Sequence, residues 1–159
     1  MKLNKKNFIN IINENYSFEK SPTIAVGVSG GPDSMALVHL LNQFVKLKKG
    51  NLIAIIFDHR IRDESLYESK KIKKYLNKLN IAAKIIRASN EKVKKNNMNE
   101  ARINRFDGLI KFCKKNKILH LFLGHHYNDN LETFLTRRVS GSNLEGLSCM
   151  KNLSIRKNI

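Results

Sequence analysis

The sequence predicts an α/β fold in which a parallel β-sheet carries helices on both faces. Two observations support this prediction: short runs of apolar and β-branched residues alternate with stretches of helical periodicity, and the connections between them are short. Strands and helices in alternation form right-handed βαβ units, which make the sheet parallel. The predicted strands are 23–28, 51–58, 82–88 and 119–124, and the predicted helices are 35–47, 64–79, 99–115 and 128–139.

The strand segments read TIAVGV, NLIAIIFD, AAKIIRA and LHLFLG, and such near-continuous apolar runs are typical of strands buried on both faces. Two of the helical stretches place their apolar residues on one side. Asn97 and Glu100 are typical of an N-cap and its N3 acid, and they predict the start of the third helix. The one-sided residues are Ile72, Tyr75, Leu76 and Leu79 in one helix and Arg102, Phe106, Leu109, Ile110 and Cys113 in the next.

The composition predicts one domain with a strongly basic surface. The chain has 159 residues, and its 30 Lys and Arg against 13 Asp and Glu leave a formal charge of +17. A field of that sign attracts polyanions such as nucleic acid, nucleotide phosphates or an anionic membrane surface. The alternative is compositional, because Lys, Asn and Ile are the residues that an AT-rich genome favours.

Cysteine usage and hydropathy predict a cytoplasmic protein without a membrane partner. Cys113 and Cys149 are far apart and form no CxxC pair, so neither a disulfide framework nor a zinc or iron–sulfur site is indicated. Asn10, Asn13 and Glu14 interrupt the first apolar stretch before it reaches the length of a signal peptide. No run of about 18 apolar residues is present to span a membrane.

The residues that follow each predicted strand are the candidate site, because ligands of such sheets bind beyond the carboxyl ends of the strands. The first such segment is Ser29-Gly30-Gly31-Pro32-Asp33-Ser34, between a strand and a helix. Two glycines, backbone amides, a helix N-terminus and two hydroxyls make a phosphate cradle. It is neither a Walker A loop nor a GxGxxG fingerprint. The alternative, a Gly-Pro turn with a serine cap, leaves the carboxylate of Asp33 unexplained.

The segment after the last predicted strand adds acids and imidazoles. Asp129 and Glu132 lie three residues apart on a predicted helix, so both carboxylates face the same way and could hold an amine or a metal. The alternative is a solvated acidic face. His125 and His126 either contact a substrate or are structural imidazoles held by hydrogen bonds.

Two arginines in the third predicted helix are further candidates. Arg102 falls on the apolar side of the helix, where a guanidinium needs a carboxylate or phosphate partner. Arg105 lies one turn later, and a surface arginine is its alternative interpretation.

The SGGPDS segment resembles the SGGxDS loop of the PP-loop (N-type) ATP pyrophosphatases, whose fold is Rossmann-like and adenine nucleotide alpha hydrolase-like. Four further segments resemble those of the tRNA(Ile)-lysidine synthase family, in order and with similar spacing. They are FDHRIRDES (57–65), NEARINRF (99–106), GHHYNDNLETFLTR (124–137) and GSNLEGLSCM (141–150). The resemblance covers roughly residues 23–150 and its motifs are independent of one another.

This resemblance implies a ligase that converts the wobble cytidine of an isoleucine tRNA with a CAU anticodon to lysidine. ATP would adenylate the C2 oxygen with release of pyrophosphate, and the ε-amine of free L-lysine would then displace AMP. Mg²⁺ would be held by Asp33 and Asp129, and the catalytic residues would be Asp33, Asp129, Glu132 and Arg105. The residues implied for ATP or pyrophosphate are Ser29, Gly30, Gly31, Pro32, Asp33, Ser34, Asp58 and His59. Those implied for lysine or other substrate groups are Arg102, Arg105, His125, His126, Asp129 and Glu132.

The chain also departs from the family pattern. Asn128 and Asn130 stand where an Asp and a Gln are usual, and Ser140 replaces the arginine of a later RGS segment. The expected organisation is a helical extension at 1–20, a catalytic domain at 21–150 and a tail at 151–159 without the family's C-terminal tRNA-binding domains. A homodimer is a candidate assembly. The alternatives are a PP-loop enzyme that thiolates tRNA and a truncated, non-catalytic remnant that binds ATP or RNA.

Overall fold

A computed structural model of the chain describes residues 4–58, 60, 64–88 and 98–125, with the backbone alone for 98–100. The four predicted strands and three predicted helices are confirmed to within three residues at each end. The fourth predicted helix, 128–139, and Asn97 of the predicted N-cap lie outside the described residues. In chain order the elements are α1 (Lys5–Asn15), β1 (Thr23–Val28), α2 (Pro32–Leu47), β2 (Asn51–Asp58), α3 (Ser65–Lys78), β3 (Ala82–Arg87), α4 (Met98–Lys115) and β4 (His120–Leu123).

The described strands form one parallel sheet with the order β3-β2-β1-β4. From β1 the chain first builds outward through β2 and β3, and it then crosses to the other side of β1 to form β4. The direction of winding therefore reverses between β1 and β4. In open α/β sheets the crevice at such a reversal, beyond the carboxyl ends of the strands, is where ligands bind.

Helices cover both faces of the sheet, as predicted. On one face, alternate residues of β1 and β2 pack against α1, α2 and α3 in the larger core. The N-terminal segment belongs to this core, because α1 contributes the buried Phe8 and Ile12. On the other face, Ala25 and Ile55 pack against α4 in a smaller core. The main residues of the larger core are Ile24, Val26, Val38, Leu41, Phe44, Ala54, Ile56 and Leu76.

The smaller core is where the structure places Cys113. Its side chain is fully buried with Leu109 and Ile118, and burial raises the pKa of the thiol to about 11. A thiol with that pKa stays protonated at neutral pH, so Cys113 acts as a small apolar residue and not as a nucleophile. No helix among the described residues is long and apolar enough to cross a membrane.

The three helices that cross over the sheet end in the same kind of turn. Lys49, Asn80 and Lys117 each adopt a positive φ, between 54° and 58°, just after α2, α3 and α4. In each case the next residue donates its N–H to a carbonyl five residues earlier, as in a Schellman motif. This turn returns the chain directly to the amino end of the next strand, so each crossover is short.

Candidate active site

The segment after β1, residues 29–34, lies at the reversal point of the sheet, and we call it the phosphate loop. Gly124, which follows β4, packs against the start of α2 at the end of this loop. A Cβ atom at Gly124 would stand 3.0 Å from Ser34 Cα and 3.1 Å from Ser34 N. A Cβ there would require the Ser34 backbone to shift, so the end of β4 packs directly against the end of the phosphate loop.

Hydrogen bonds inside the phosphate loop involve both serines. Ser34 Oγ donates to the carbonyl of Gly31 at 2.9 Å and lies 3.2 Å from Ser29 Oγ. The amide of Ser29 donates to Ser34 Oγ at 3.3 Å, and the amide of Gly31 donates to Ser29 Oγ at 3.4 Å. Ser34 is buried whereas Ser29 is exposed. Ser34 thus holds the loop in shape, and Ser29 is the hydroxyl that a bound ligand can reach.

The backbone of the phosphate loop needs its glycines. Gly30 has φ 87°, a conformation that residues with a Cβ rarely adopt, and a Cβ there would stand 2.6 Å from Ile72 Cδ1 of α3. Gly31 is the N-cap of α2 and makes no side-chain cap hydrogen bond. Pro32 occupies the first turn of this 16-residue helix, which suits proline because its missing N–H costs no helical bond there. The N-terminus of α2 therefore has amide groups to offer an anion.

Asp33 is exposed in the first turn of α2, beside the phosphate loop. Among the described residues no group of three His, Cys, Asp or Glu side chains could hold a metal ion. Mg²⁺ in phosphate-transfer sites commonly uses one or two carboxylates together with the substrate's phosphates. The carboxylate of Asp33 fits that requirement.

The segment after β2 is organised around the buried carboxylate of Asp58. This carboxylate accepts from Ser65 Oγ at 2.6 Å and from the amide of Arg60 at 3.0 Å, and it pairs with Arg87 Nε at 3.3 Å. Burial by itself would raise the pKa of Asp58, but the Ser65, Arg60 and Arg87 interactions outweigh it and hold that pKa below its usual value. Asp58 stays ionised and is engaged by the protein's own donors.

A cluster of basic and aromatic side chains lies on α4 and after β4. The guanidinium carbons of Arg105 and Arg102 lie 5.5 Å and 5.9 Å from the ring centroid of Phe106, and the centroid of His125 lies 6.4 Å from it. Nε of Arg105 is buried without a hydrogen-bond partner among the described residues. Burial, and secondarily the charge of Arg102, lowers the pKa of Arg105.

This cluster changes one sequence interpretation. The helical pattern assigned the inward position to Arg102 and left a surface position open for Arg105. Both residues are half-buried, and the buried Nε belongs to Arg105. The reason is that position 105 falls in the same i, i+4 row as the buried Ala101, Leu109 and Cys113, while position 102 lies on the same side of the helix, so both arginines are on the packed face.

Several predicted residues are brought together and others are not described. The phosphate loop and Gly124 meet at the reversal point. His125 follows Gly124 and lies beside Phe106, the ring on which Arg102 and Arg105 pack; we call these two arginines and Phe106 the arginine cluster. His59, His126, Asp129 and Glu132 lie outside the described residues.

Sequence reasoning gave no role in this region to Arg87, Phe106 or Ile72, and it included Gly124 only as the first residue of a candidate segment. Arg87 could have been found from strand register, since it pairs with Asp58 in the parallel alignment of β2 and β3. Gly124 could have been suspected as a glycine at the end of a strand. The contact of Ile72 with Gly30 joins residues of different elements and has no sequence signal.

Comparisons with known proteins identify a family and relatives that are similar to this chain. The PP-loop domain family matches residues 2–159. The tRNA(Ile)-lysidine synthase of Wolbachia sp. subsp. Brugia malayi (strain TRS) is 37% identical over 80% of this chain and 30% of its own length. That of Wolbachia pipientis wMel is 35% identical over 90% of this chain and 33% of its own length. The chain thus spans about a third of the length of these curated relatives.

A solved structure with a similar fold is the U34-tRNA thiolase NcsA from Methanococcus maripaludis with its 4Fe-4S cluster. It superposes with a TM-score of 0.75 over 89% of this chain and 50% of its own, at 21% identity. At that identity the likeness concerns the fold. The reversal-point loop, the parallel sheet and the family match over residues 2–159 lead to one conclusion: the chain belongs to the PP-loop domain family.

Proposed function

We propose that this chain is the catalytic part of an ATP-dependent tRNA(Ile)-lysidine synthase. The observation that carries the proposal is the phosphate loop, which combines the sequence SGGPDS with a helix N-terminus at the reversal point of the sheet. The similarity to relatives named as lysidine synthases supports the choice of substrate.

The proposed reaction has two steps. The C2 carbonyl oxygen of the wobble cytidine attacks the α-phosphorus of ATP, the α–β anhydride bond breaks and pyrophosphate leaves. The nitrogen of the lysine ε-amine then attacks C2, the C2–O bond breaks and AMP leaves as the amine gives up a proton. The phosphate loop stabilises the departing pyrophosphate through its amides, and Asp33 would be the residue that holds Mg²⁺. Bound Mg²⁺ supplies positive charge where the leaving oxygens become negative.

Asp129 and Glu132 are proposed to bind the lysine amine and to accept its proton. Three residues apart, the two carboxylates would share one face of the predicted helix 128–139, which suits a cationic amine. In the sequence they follow β4, whose carboxyl end lies beside the phosphate loop. His59 and His126 are proposed to contact the nucleotide and the substrate, respectively.

The arginine cluster is proposed to bind the anionic groups of the adenylated tRNA. Arg105 has a partly buried guanidinium whose Nε has no partner among the described residues, and such a group is strengthened by a phosphate acceptor. The ring of Phe106 holds both guanidinium groups on one side of α4.

A thiolating reaction is less well supported. Such chemistry needs a cysteine that ionises near neutral pH, whereas burial raises the pKa of Cys113 to about 11. Cys149 lies outside the described residues and has no second cysteine near it in the sequence.

The test supplies ATP, Mg²⁺, labelled lysine and an isoleucine tRNA transcript with a CAU anticodon, and measures lysine incorporation into RNA. We expect Asp33→Ala to lower ATP consumption at least about a hundredfold, since it removes the proposed metal ligand at the phosphate loop. Glu14→Ala, an exposed acid on α1, is the matched control and should leave the rate unchanged. Unchanged ATP consumption by Asp33→Ala would contradict the proposal.

A further inference from the structure

The exposed face of α3 carries a stripe of one tyrosine and three lysines that no part of the proposed reaction uses. Tyr67, Lys71, Lys74 and Lys78 follow one another at intervals of three and four residues, so they lie along one side of the helix. We call these four residues the α3 stripe. The opposite side of α3 is buried in the larger core through Leu76 and, in part, Ile72. The α3 stripe therefore points away from the domain.

We propose that the α3 stripe binds a single-stranded segment of RNA and guides it to the phosphate loop. The inference rests on the proposed function, in that the RNA is the tRNA substrate whose anticodon is to be modified.

Charge is the first reason for choosing RNA. The 14 residues of α3 include five lysines and one glutamate. Lys70, Lys71, Lys74 and Lys78 are all exposed, and the two ion pairs found among the described residues, Arg87–Asp58 and His120–Glu19, involve none of them. At a rise of about 1.5 Å per residue, Lys71, Lys74 and Lys78 span roughly 10 Å, a length over which several phosphates of a nucleic-acid strand can be contacted.

The exposed aromatic rings are the second reason, and they separate this surface from a merely lysine-rich one. Tyr67 and Tyr75 are 63% and 47% exposed, respectively. Nζ of Lys71 stands 5.0 Å from the centroid of the Tyr67 ring, and His39 of α2 meets Tyr75 edge-on with centroids 6.4 Å apart. Aromatic rings among cations provide stacking platforms for unpaired bases beside contacts for their phosphates.

Location is the third reason. Ile72, midway along α3, reaches Gly30 of the phosphate loop, so the first half of the helix lies beside that loop. Tyr67 is in this first half, at the end of α3 nearest the carboxyl edge of the sheet. A strand bound along the α3 stripe from Lys78 to Tyr67 is therefore led to the site where ATP is proposed to react.

The chain offers an internal control for charge without aromatic rings. Lys111, Lys114 and Lys115 are exposed on the last turns of α4, which end at the amino edge of the sheet, far from the phosphate loop. If composition alone accounted for the lysines of α3, both sets would bind RNA equally.

The experiment measures the affinity of the whole chain for the isoleucine tRNA transcript, without ATP or lysine, at several salt concentrations. Replacing Lys71, Lys74 and Lys78 together by Gln is expected to weaken binding about tenfold or more and to lower the slope of log K against log salt by about two. The same change at Lys111, Lys114 and Lys115 should alter the affinity less than about threefold. Equal losses from the two triple variants, or no loss from the first, would overturn the inference.

A second pair of variants tests stacking independently of charge. Tyr67→Ala is expected to weaken binding of the transcript roughly fivefold to tenfold, whereas Tyr67→Phe keeps the ring and the affinity. An affinity unchanged in Tyr67→Ala would contradict the role of that ring. Tyr67 and the three lysines are exposed, so a melting temperature close to that of the unmodified chain checks that these variants fold.

The outcome separates this inference from the proposed function. If the α3 variants lose tRNA binding but the unmodified chain transfers no lysine, the α3 stripe is supported as an RNA-binding surface and the proposed lysidine reaction is contradicted. If the α3 variants still transfer lysine and their KM for tRNA is unchanged, the proposed RNA-binding role of the α3 stripe is contradicted and the proposed reaction is supported.

Discussion

The segments that follow β1 and β2 lie at the same edge of the sheet and differ in what their polar groups bind. The phosphate loop after β1 has an exposed hydroxyl, a glycine N-cap and a helix N-terminus that can bind a ligand. After β2, by contrast, the Asp58 carboxylate already accepts from Ser65 and from the amide of Arg60 and pairs with Arg87. Both regions pair an acid with a nearby serine, Asp33 with Ser34 and Asp58 with Ser65, so residue type alone does not separate a binding site from a structural one.

The difference lies in where the donors point. In the phosphate loop, Ser34 bonds to the loop's own Gly31 carbonyl, and the helix that follows has no side-chain cap. Beyond β2, donors from Arg60, from Ser65 of α3 and from Arg87 of β3 converge on the buried carboxylate of Asp58. A carboxylate that the protein's own donors already satisfy contributes to stability, whereas a helix N-terminus without a side-chain cap can contribute to anion binding.

The largest effect is expected from Asp58→Ala. Removing this carboxylate leaves Ser65 and Arg87 without their acceptor, and we expect the free energy of unfolding to fall by about 3 kcal/mol. Chemical denaturation measures the change. A loss of ATP affinity with no loss of stability would assign Asp58 to the binding site instead.

The same residue predicts part of the acid dependence of stability. Its pKa is lower in the folded chain than in the unfolded one, so its contribution is complete above the unfolded pKa of about 4 and is lost as the pH falls through the folded value. Asp58→Ala should remove this part of the acid slope. An identical slope in the variant and the unmodified chain would contradict the assignment.

A smaller effect is expected from Gly124→Ala, this time on binding. The added Cβ would meet the backbone of Ser34 and displace the start of α2, so we expect the Kd for ATP to rise about tenfold. Gly108→Ala is the control: its Cβ would meet the Phe57 ring on the other face of the sheet, which should reduce stability without changing the Kd. Equal changes in Kd would show that any crowded glycine has this effect.

The smallest effects are expected from two serine substitutions, one in the phosphate loop and one beside Asp58, which should change ATP affinity and stability, respectively. Ser29→Ala should weaken ATP binding by about 1 kcal/mol with little change in stability, because its hydroxyl lies in the open loop. Ser65→Ala should reduce stability by about 1 kcal/mol with little change in ATP affinity, because its hydroxyl binds Asp58. Titration calorimetry and denaturation on both variants test this, and the idea of two distinct loops fails if both serines change the same quantity.

Much of the fold was predictable because its signals are local. Four apolar runs separated by helical periodicity are enough to predict a parallel sheet, and the glycines of SGGPDS indicate a loop at its carboxyl edge. Both expectations agree with the order β3-β2-β1-β4 and with the positive φ of Gly30.

The parts of the site that were not predicted depend on contacts between distant elements. Arg87 pairs with Asp58 because β2 and β3 lie in register, and Ile72 limits the space at Gly30 because α3 packs beside the loop. Arg102 and Arg105 sit on the same side of one helix, and only the packing of α4 decides that Nε of Arg105 is the buried one.

The central claim is that the phosphate loop directs attack on the α-phosphorus of ATP. The most direct measurement incubates the chain with ATP labelled at the α-phosphate, Mg²⁺, lysine and the isoleucine tRNA transcript, and identifies the labelled products. Attack at the α-phosphorus predicts AMP and an adenylated RNA, with release of pyrophosphate that depends on the RNA. Labelled ADP with release of inorganic phosphate would contradict it.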